Sequence, residues 1–393
     1  MVRSILAWVG GFVALGLLAL VMFGLFGSLA RERDFITGAP PAQSTPDEES
    51  GTGRASLTPS PTPSSPQPLQ ADKIQITGLV QLTTDGLVNV NDPSKDVRNM
   101  PVTRPWSPDS NNILFIKIET LQTKPTLKRA FELWTVSVNK TQRLLGQDVA
   151  EAAWSPDGKQ IAFRLVPSTP SSASDIYVIN SDGTSRRRLA AGDNTEGVSF
   201  LPDGNITFGK DGLVAIMTTQ GTLVRQITNA TPGRGGKGGF AFSPDGKRIA
   251  ILSYPRLSVM NADGTGLSDL TNTSTSQLKD ISWPISGRRL VYFNDFPREL
   301  RLVDAHGTTK VLFKGPDFAF ASPSWTLDEQ VILFGEGRNT PSGYQKNSYA
   351  VNVDGSGLTK ILAGFFSNQI SPGGNKLLVS DINNNIWFGS MIP

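Results

Sequence analysis

The sequence contains no cysteine and a single histidine, His306. Without thiols there can be no disulfide, no thiolate metal site and no cysteine nucleophile. One histidine excludes a multi-histidine metal centre and most histidine-dependent catalysis. Charge is also sparse, at 18% of residues with 37 basic against 34 acidic side chains. The net charge of +3 and a pI near 9.0 are a mild basic excess. A nucleic-acid binder would need a clustered Lys/Arg stripe, so no nucleic acid is expected as partner. Punctuation, by contrast, is plentiful: 39 glycines and 27 prolines make about a sixth of the chain. That composition excludes a coiled coil, and the lack of a Gly-X-Y period excludes collagen. The 393 residues are enough for two or three domains of roughly 150 residues, or for one large β architecture.

Between Arg3 and Arg31 lie 27 residues without a formal charge, including LAWVGGFVALGLLALVMFGLF. About 20 apolar residues span a bilayer as a helix, so residues 1–34 read as a transmembrane anchor with short flanks. A cleaved secretory signal has a shorter apolar region, of roughly 7–15 residues. Removal after Ala30, at the small-x-small site Ser28-Leu29-Ala30, is the alternative. The basic flanks barely discriminate orientation. The large domain is placed outside the cytoplasm because the amino-terminal tail is only a few residues and a Pro/Ser/Thr stalk follows. Residues 35–72 form that stalk: Gly38 to Asp72 holds eight prolines and ten Ser or Thr among 35 residues. With almost nothing large and apolar to bury, it reads as a disordered spacer.

From residue 73 to 393 the chain repeats. Seven segments share an apolar, usually aromatic residue, a Pro/Asp/Gly turn and an alternating β run. They begin at Trp106, Trp154, Phe200, Phe242, Trp283, Trp325 and Ile370, at intervals of 48, 46, 42, 41, 42 and 45 residues. A second marker lies between them, an alternating strand running into an Asp-Gly-type hairpin turn, as in IYVINSDGT. The period suits one four-stranded propeller blade per unit. The expected fold is an all-β, seven-bladed β-propeller of four-stranded antiparallel sheets, with eight or six blades as alternatives. The last unit has strands A, B and C but no strand D. KIQITGLVQL, from Lys73 to Leu82, can supply that strand and close the ring. Gly86 to Met100 is then an extra hairpin or part of another blade. Trp106, Trp154, Trp283 and Trp325 are expected to fill equivalent wedges between blades rather than to form an aromatic platform. Asp109, Asp157, Asp203 and Asp245 are expected to cap their own turns rather than to ring a calcium ion.

The WSPDGK-IAF phrase, with the IYVIN-DGT phrase downstream, resembles the TolB-type (WD-repeat-like) propeller repeat from about Trp106 to Pro393. The resemblance implies an exported protein that binds protein partners. In place of the small α/β domain that precedes the TolB propeller stand the apolar segment and the stalk.

Chemistry is scarce. There is no G-x-S-x-G elbow, no P-loop, and no G-x-G-x-x-G between strand and helix. His306 lies in a DAHGT turn and reads as a turn residue. The glycine-rich GRGGKGG run at 233–239 opens a strand rather than a helix. No catalytic residue, metal or cofactor is assigned. In a propeller the B–C and D–A connections share one face, and function sits on variable loops held by a rigid scaffold. The long ones, Lys117–Phe131, Arg164–Asp175, Thr228–Phe240 and Gly335–Ser348, carry Lys124, Lys128, Arg129, Arg234, Lys237, Arg338, Tyr344 and Lys346. These eight residues are the candidate partner-binding set, although lysines that only solubilise long loops would look the same. The expected function is a non-enzymatic, membrane-tethered binder of a protein partner outside the cytoplasm. The alternatives are a binder of an anionic envelope polymer or glycan, and a propeller hydrolase or lyase using channel carboxylates.

Overall fold

The computed structural model describes residues 67–86, 96–122, 128–165, 174–190, 195–210, 213–228, 239–253, 256–272, 278–295, 297–315, 318–341 and 343–392. The apolar amino-terminal segment and most of the stalk therefore lie outside the described residues. No helix among the described residues is long and apolar enough to cross a membrane.

Among the described residues, 28 strands form seven four-stranded antiparallel sheets. β1 is Gln75–Gln81. Blade 1 consists of β2 (Val97–Trp106), β3 (Asn112–Gln122), β4 (Lys128–Ser137) and β5 (Gln142–Gln147). Blade 2 has β6 (Val149–Trp154), β7 (Gln160–Leu165), β8 (Ile176–Asn180) and β9 (Arg187–Ala190). Blade 3 has β10 (Thr195–Phe200), β11 (Ile206–Lys210), β12 (Leu213–Met217) and β13 (Leu223–Ile227). Blade 4 has β14 (Gly239–Phe242), β15 (Arg248–Ser253), β16 (Arg256–Asn261) and β17 (Ser268–Asn272). Blade 5 has β18 (Leu278–Ser282), β19 (Arg289–Asp295), β20 (Arg298–Asp304) and β21 (Thr309–Lys314). Blade 6 has β22 (Phe318–Trp325), β23 (Val331–Thr340), β24 (Gly343–Asn352) and β25 (Thr359–Ala363). Blade 7 takes β26 (Phe366–Ile370), β27 (Lys376–Ser380) and β28 (Ile386–Ile392), and its outer strand is β1.

The ring thus closes as the missing D strand predicts. β1 pairs antiparallel with β28, Gln75 opposite Ile392 and Gln81 opposite Trp387. Gly389 permits the approach, because a Cβ there would lie 2.7 Å from Ile76 Cγ2. Met100 belongs to β2, the first strand of blade 1, and not to an extra hairpin. Residues 67–72, given to the stalk by composition, are in contact with blade 6. The Ala71 N–H donates to Asn352 Oδ1 at 2.8 Å, Leu69 N–H to Asp328 Oδ2 at 2.7 Å, and Ala71 is buried.

Alternation along the strands puts apolar residues on both faces of each blade, and they meet in seven clusters, one at each junction. The junction of blades 1 and 2 gathers Leu114, Leu133, Val149, Ile161 and Phe163, and that of blades 7 and 1 gathers Trp106, Ile113, Phe115, Leu378 and Ile386. An open row of seven blades would have six junctions, so the seventh cluster is the energetic signature of closure.

The four repeat tryptophans occupy equivalent wedges. Each indole N–H donates to a carbonyl of the preceding blade: Trp106 to Gln369 (2.9 Å), Trp154 to Pro105 (3.0 Å), Trp283 to Ala241 (3.0 Å) and Trp325 to Ser282 (3.2 Å). Every acceptor is the residue just before the repeat position in its own blade. The turn aspartates cap their turns. Asp157 Oδ1 accepts from Lys159 N (3.0 Å) and Ser155 Oγ (2.6 Å), and Asp245 Oδ1 from Lys247 N (3.0 Å) and Ser243 Oγ (2.5 Å). Asp109 and Asp203 accept in the same way from the N–H groups of Asn111 and Asn205. His306 is exposed in its turn, where Asp304 accepts the N–H groups of His306 and Thr308, both at 2.9 Å.

Candidate functional site

Two of the four connections read as long loops are instead hairpins. The runs NILFIKIETLQ and KRAFELWTVS alternate without a break, so β3 and β4 stay paired from Asn112↔Ser137 to Gln122↔Lys128. β23 and β24 pair from Val331↔Asn352 to Thr340↔Gly343. Their strands run to 10 or 11 residues, whereas the inner strands of blades 3 and 4 have five or six. Topology places both extensions on the face of the B–C connections, on the two blades that flank the closing blade.

A polar lattice fixes the base of this face. From blade 6, Lys346 Nζ donates to the Asp381 carbonyl and to Asn384 Oδ1 of the blade 7 B–C connection, both at 3.0 Å, and lies over the Phe366 ring. Asp381 organises that connection. Its Oδ1 accepts from the N–H groups of Asn383 and Asn385 at 2.9 Å, and its Oδ2 from Trp387 Nε1 at 3.0 Å. Asn385 Oδ1 in turn accepts from Gly86 N at 2.8 Å, just beyond β1. Gly86 has to be glycine: a Cβ would lie 2.5 Å from the Asn383 carbonyl oxygen. On the blade 1 side, Asn99 Nδ2 donates to Asp85 Oδ1 at 3.0 Å and Lys117 Nζ pairs with Asp85 Oδ2 at 2.7 Å. Burial works against both charges. The bonds made by Asp85 outweigh it, so the Asp85 carboxyl titrates below and the Lys117 ammonium above its ordinary value. For Lys346 burial prevails, assisted by Arg98, and its pKa is lowered despite Asp381.

The sequence-derived candidates fall into three groups. Lys124, Arg234 and Lys237 lie outside the described residues, as does nearly all of GRGGKGG. Lys128 begins β4, and its neighbour Arg129 is exposed. Arg338, Tyr344 and Lys346 share the blade 6 hairpin. Arg338 is largely exposed with Nε 3.8 Å from the buried Glu336, and Tyr344 is 42% exposed. Lys346 is a correction to the loop reading: at 9% exposure, with its ammonium engaged by blade 7, it braces the face rather than presenting charge on it.

Reasoning from charge missed the apolar part of this face. Among the described residues, three consecutive B–C connections expose a large apolar side chain: Tyr344 on blade 6, Ile382 (47%) on blade 7 and Leu121 (61%) on blade 1. Tyr344 leans back over Gly337, and a Cβ at that glycine would collide with the phenol ring. The unbroken alternation through Leu121, and a glycine opposite the tyrosine's hairpin neighbour, were the available signals. Among the described residues no His, Asp and Glu side chains converge as a metal-ligand set.

Comparison with known proteins agrees with the architecture. Solved structures of similar fold include the β-propeller domain of the trilobed protease from Pyrococcus furiosus (11% identity, 75% of this chain and 95% of that one, TM-score 0.52), for which an open velcro topology is described. The ring here is closed by β1. Others are an oligogalacturonate lyase in complex with manganese (11%, 81% and 98%, TM-score 0.56) and a chain of the mitotic checkpoint complex (14%, 82% and 96%, TM-score 0.51). At these identities the likeness is one of fold alone. Nothing among the curated proteins matches the chain significantly. Residues 84–329 match the TolB beta propeller domain family, well over half of the sequence, and the chain belongs to that family.

Proposed function

We propose that this protein is a non-enzymatic binding module that holds a protein partner on the hairpin face. The apolar amino-terminal segment tethers it to a membrane, with the propeller outside the cytoplasm. The observation that carries the reading is the row of Leu121, Ile382 and Tyr344 on three adjacent blades, above a base cross-braced by Lys346, Asp381, Asn385, Asp85 and Lys117. Exposed apolar side chains held on a rigid frame are what a packed protein interface uses, with Tyr and Arg as its usual anchors. Arg129 and Arg338 supply the polar rim. The turn chemistry accounts for the conspicuous aspartates among the described residues, so they lend the enzyme reading no support.

Photo-crosslinking from a benzoylphenylalanine at position 344 tests this, with the same group at Leu267, an exposed residue following a C–D turn on the opposite face, as control. Position 344 is expected to capture one protein that Leu121→Asp and Ile382→Asp abolish. Equal capture from position 267 overturns the assignment. A second reading, recognition of an anionic envelope polymer, is favoured by the exposed arginines. It predicts binding that collapses as salt rises, whereas a packed interface persists.

A further inference from the structure

Three of the four tryptophan wedges are plugged by a cation from the preceding blade. Lys376 lies 5.9 Å from the Trp106 ring centroid, Arg248 5.4 Å from that of Trp283 and Arg289 5.5 Å from that of Trp325. Each plug also donates to the carbonyl four residues after the tryptophan: Lys376 to Ser110 (2.8 Å), Arg248 to Gly287, and Arg289 to Glu329 (3.1 Å). All three occupy one repeat position, six residues after the aromatic or apolar residue that opens each unit (five in the shorter Phe200 unit). Where the next blade carries no tryptophan, that position is uncharged: Gln160 before the Phe200 blade, Asn205 before Phe242, and Val331 before Ile370. The rule is that a tryptophan receives a cation and any other residue does not.

Trp154 is the exception. The residue at the plug position of blade 1 is Asn112, which is neutral and too short to cover an indole. In its place is a cleft of about 410 Å³, bordered by Asn112, Trp154, Gly158 and the carboxylates Asp109, Asp157 and Asp182. Gly158 carries the carbonyl equivalent to those of Ser110, Gly287 and Glu329. Trp154 is correspondingly less buried than its three siblings. One guanidinium borders the cleft, that of Arg143, and it is committed to the Asp182 carbonyl. Arg187 and Arg225 make the equivalent tie in the next two junctions, so Arg143 is an outer strut and not the missing plug. Hydrogen bonds from Ser107 and Ser155 hold the Asp109 and Asp157 carboxyls below their ordinary range, so the cleft is anionic at neutral pH.

We propose that the cleft between blades 1 and 2 is a receptor site for a guanidinium group, taking an arginine side chain of a protein partner onto Trp154, the Gly158 carbonyl and the carboxylates of Asp109 and Asp157. The incoming group fills from outside the place that Arg248 and Arg289 fill from within. Indole and carbonyl alone accept an ammonium as well, as Lys376 does at Trp106; it is the added carboxylates of Asp109 and Asp157 that favour the forked, permanently charged guanidinium. The cleft lies among the A–B and C–D turns, opposite the hairpin face, so this site stands or falls independently of that one.

The test is a titration of the full-length chain, followed at its indole N–H resonances, with N-acetyl-arginine amide and with its uncharged isostere N-acetyl-citrulline amide. Trp154→Phe assigns the signal of interest. The Trp154 resonance is expected to shift saturably with the arginine compound and at least tenfold more weakly with citrulline. Asn112→Arg installs the internal plug, which should abolish the response and raise the melting temperature, while Asn112→Ala leaves the cleft open and responsive. Should Asn112→Arg fail to fold, Asp157→Asn replaces it and is expected to weaken binding severalfold. A Trp154 signal indifferent to arginine, an equal response to citrulline, or a wild-type response from Asn112→Arg or its replacement Asp157→Asn overturns the proposal.

Discussion

Arg289 of blade 5 lies over the indole of Trp325 in blade 6 and donates to the Glu329 carbonyl at 3.1 Å, so one side chain joins two blades by two different interactions. A partly buried cation–π contact contributes about 0.5–2 kcal/mol and a charged hydrogen bond about 1.5–3 kcal/mol, with part of each recovered by water on removal. Arg289→Met is expected to destabilise the protein by roughly 2 kcal/mol. Arg289→Lys, which keeps the charge but not the planar fork, should fall between the two. Chemical denaturation of the three proteins checks the order.

Gly86 is tight for reasons of space and not of backbone angle. Its substitution by alanine drives a Cβ into the Asn383 carbonyl and breaks the bond to Asn385 that latches the end of β1 to the connection between β27 and β28. Gly86→Ala is expected to cost on the order of 2 kcal/mol. Gly239→Ala, where a Cβ meets nothing within 4 Å, should stay within about 0.5 kcal/mol of wild type. Equal melting temperatures for the two variants would contradict the latch.

The turn carboxylates make stability depend on acid. Serine hydroxyls lead the groups that hold the Asp109, Asp157 and Asp245 carboxyls below their ordinary value. A carboxyl whose pKa is depressed by folding stabilises the native state above its unfolded value, and that contribution disappears as pH falls through the folded value. The triple variant Ser107→Ala, Ser155→Ala, Ser243→Ala should therefore be less stable than wild type at neutral pH. The gap should narrow below about pH 4 as the wild type loses the same contribution. Thermal unfolding across that range measures it, and a gap that widens in acid would refute the account.

Tyr344 owes its placement to Gly337. Gly337→Ala adds a methyl group where the phenol ring rests, and Phe366 Cε2 only 3.4 Å away blocks an easy retreat. The expected result is an intact propeller with Tyr344 displaced. The far-ultraviolet circular dichroism should be unchanged, while partner capture from the hairpin face drops about tenfold.

How much of this was legible follows from which contacts are local. The turn caps depend on residues two positions apart and the strand order on hairpins within one unit of 41 to 48 residues, so both are written in each unit. Closure was legible because blade 7 visibly lacks a strand and Gln75–Gln81 reads as one, although its alternation breaks between Thr77 and Val80, where the register shifts. The hairpins of blades 1 and 6 were misread because polar residues such as Lys117, Glu119 and Lys346 look like loop composition, although they continue the alternation. Lys346 shows the limit most clearly: its partners Asp381 and Asn384 lie 35 and 38 residues away in another blade, and nothing near it in sequence announces them. The pairing of a cation with the next unit's tryptophan becomes visible only when the seven units are laid in register.

β1 is synthesised early, but its partner β28 follows after the other six blades, since Gln75 meets Ile392. A growing chain therefore carries an unpaired edge until β28 has been made. The ring cannot close until β28 exists, and a chain stopped before Ile386 would leave two unsatisfied strands, β1 and β27, open to chaperones and to one another.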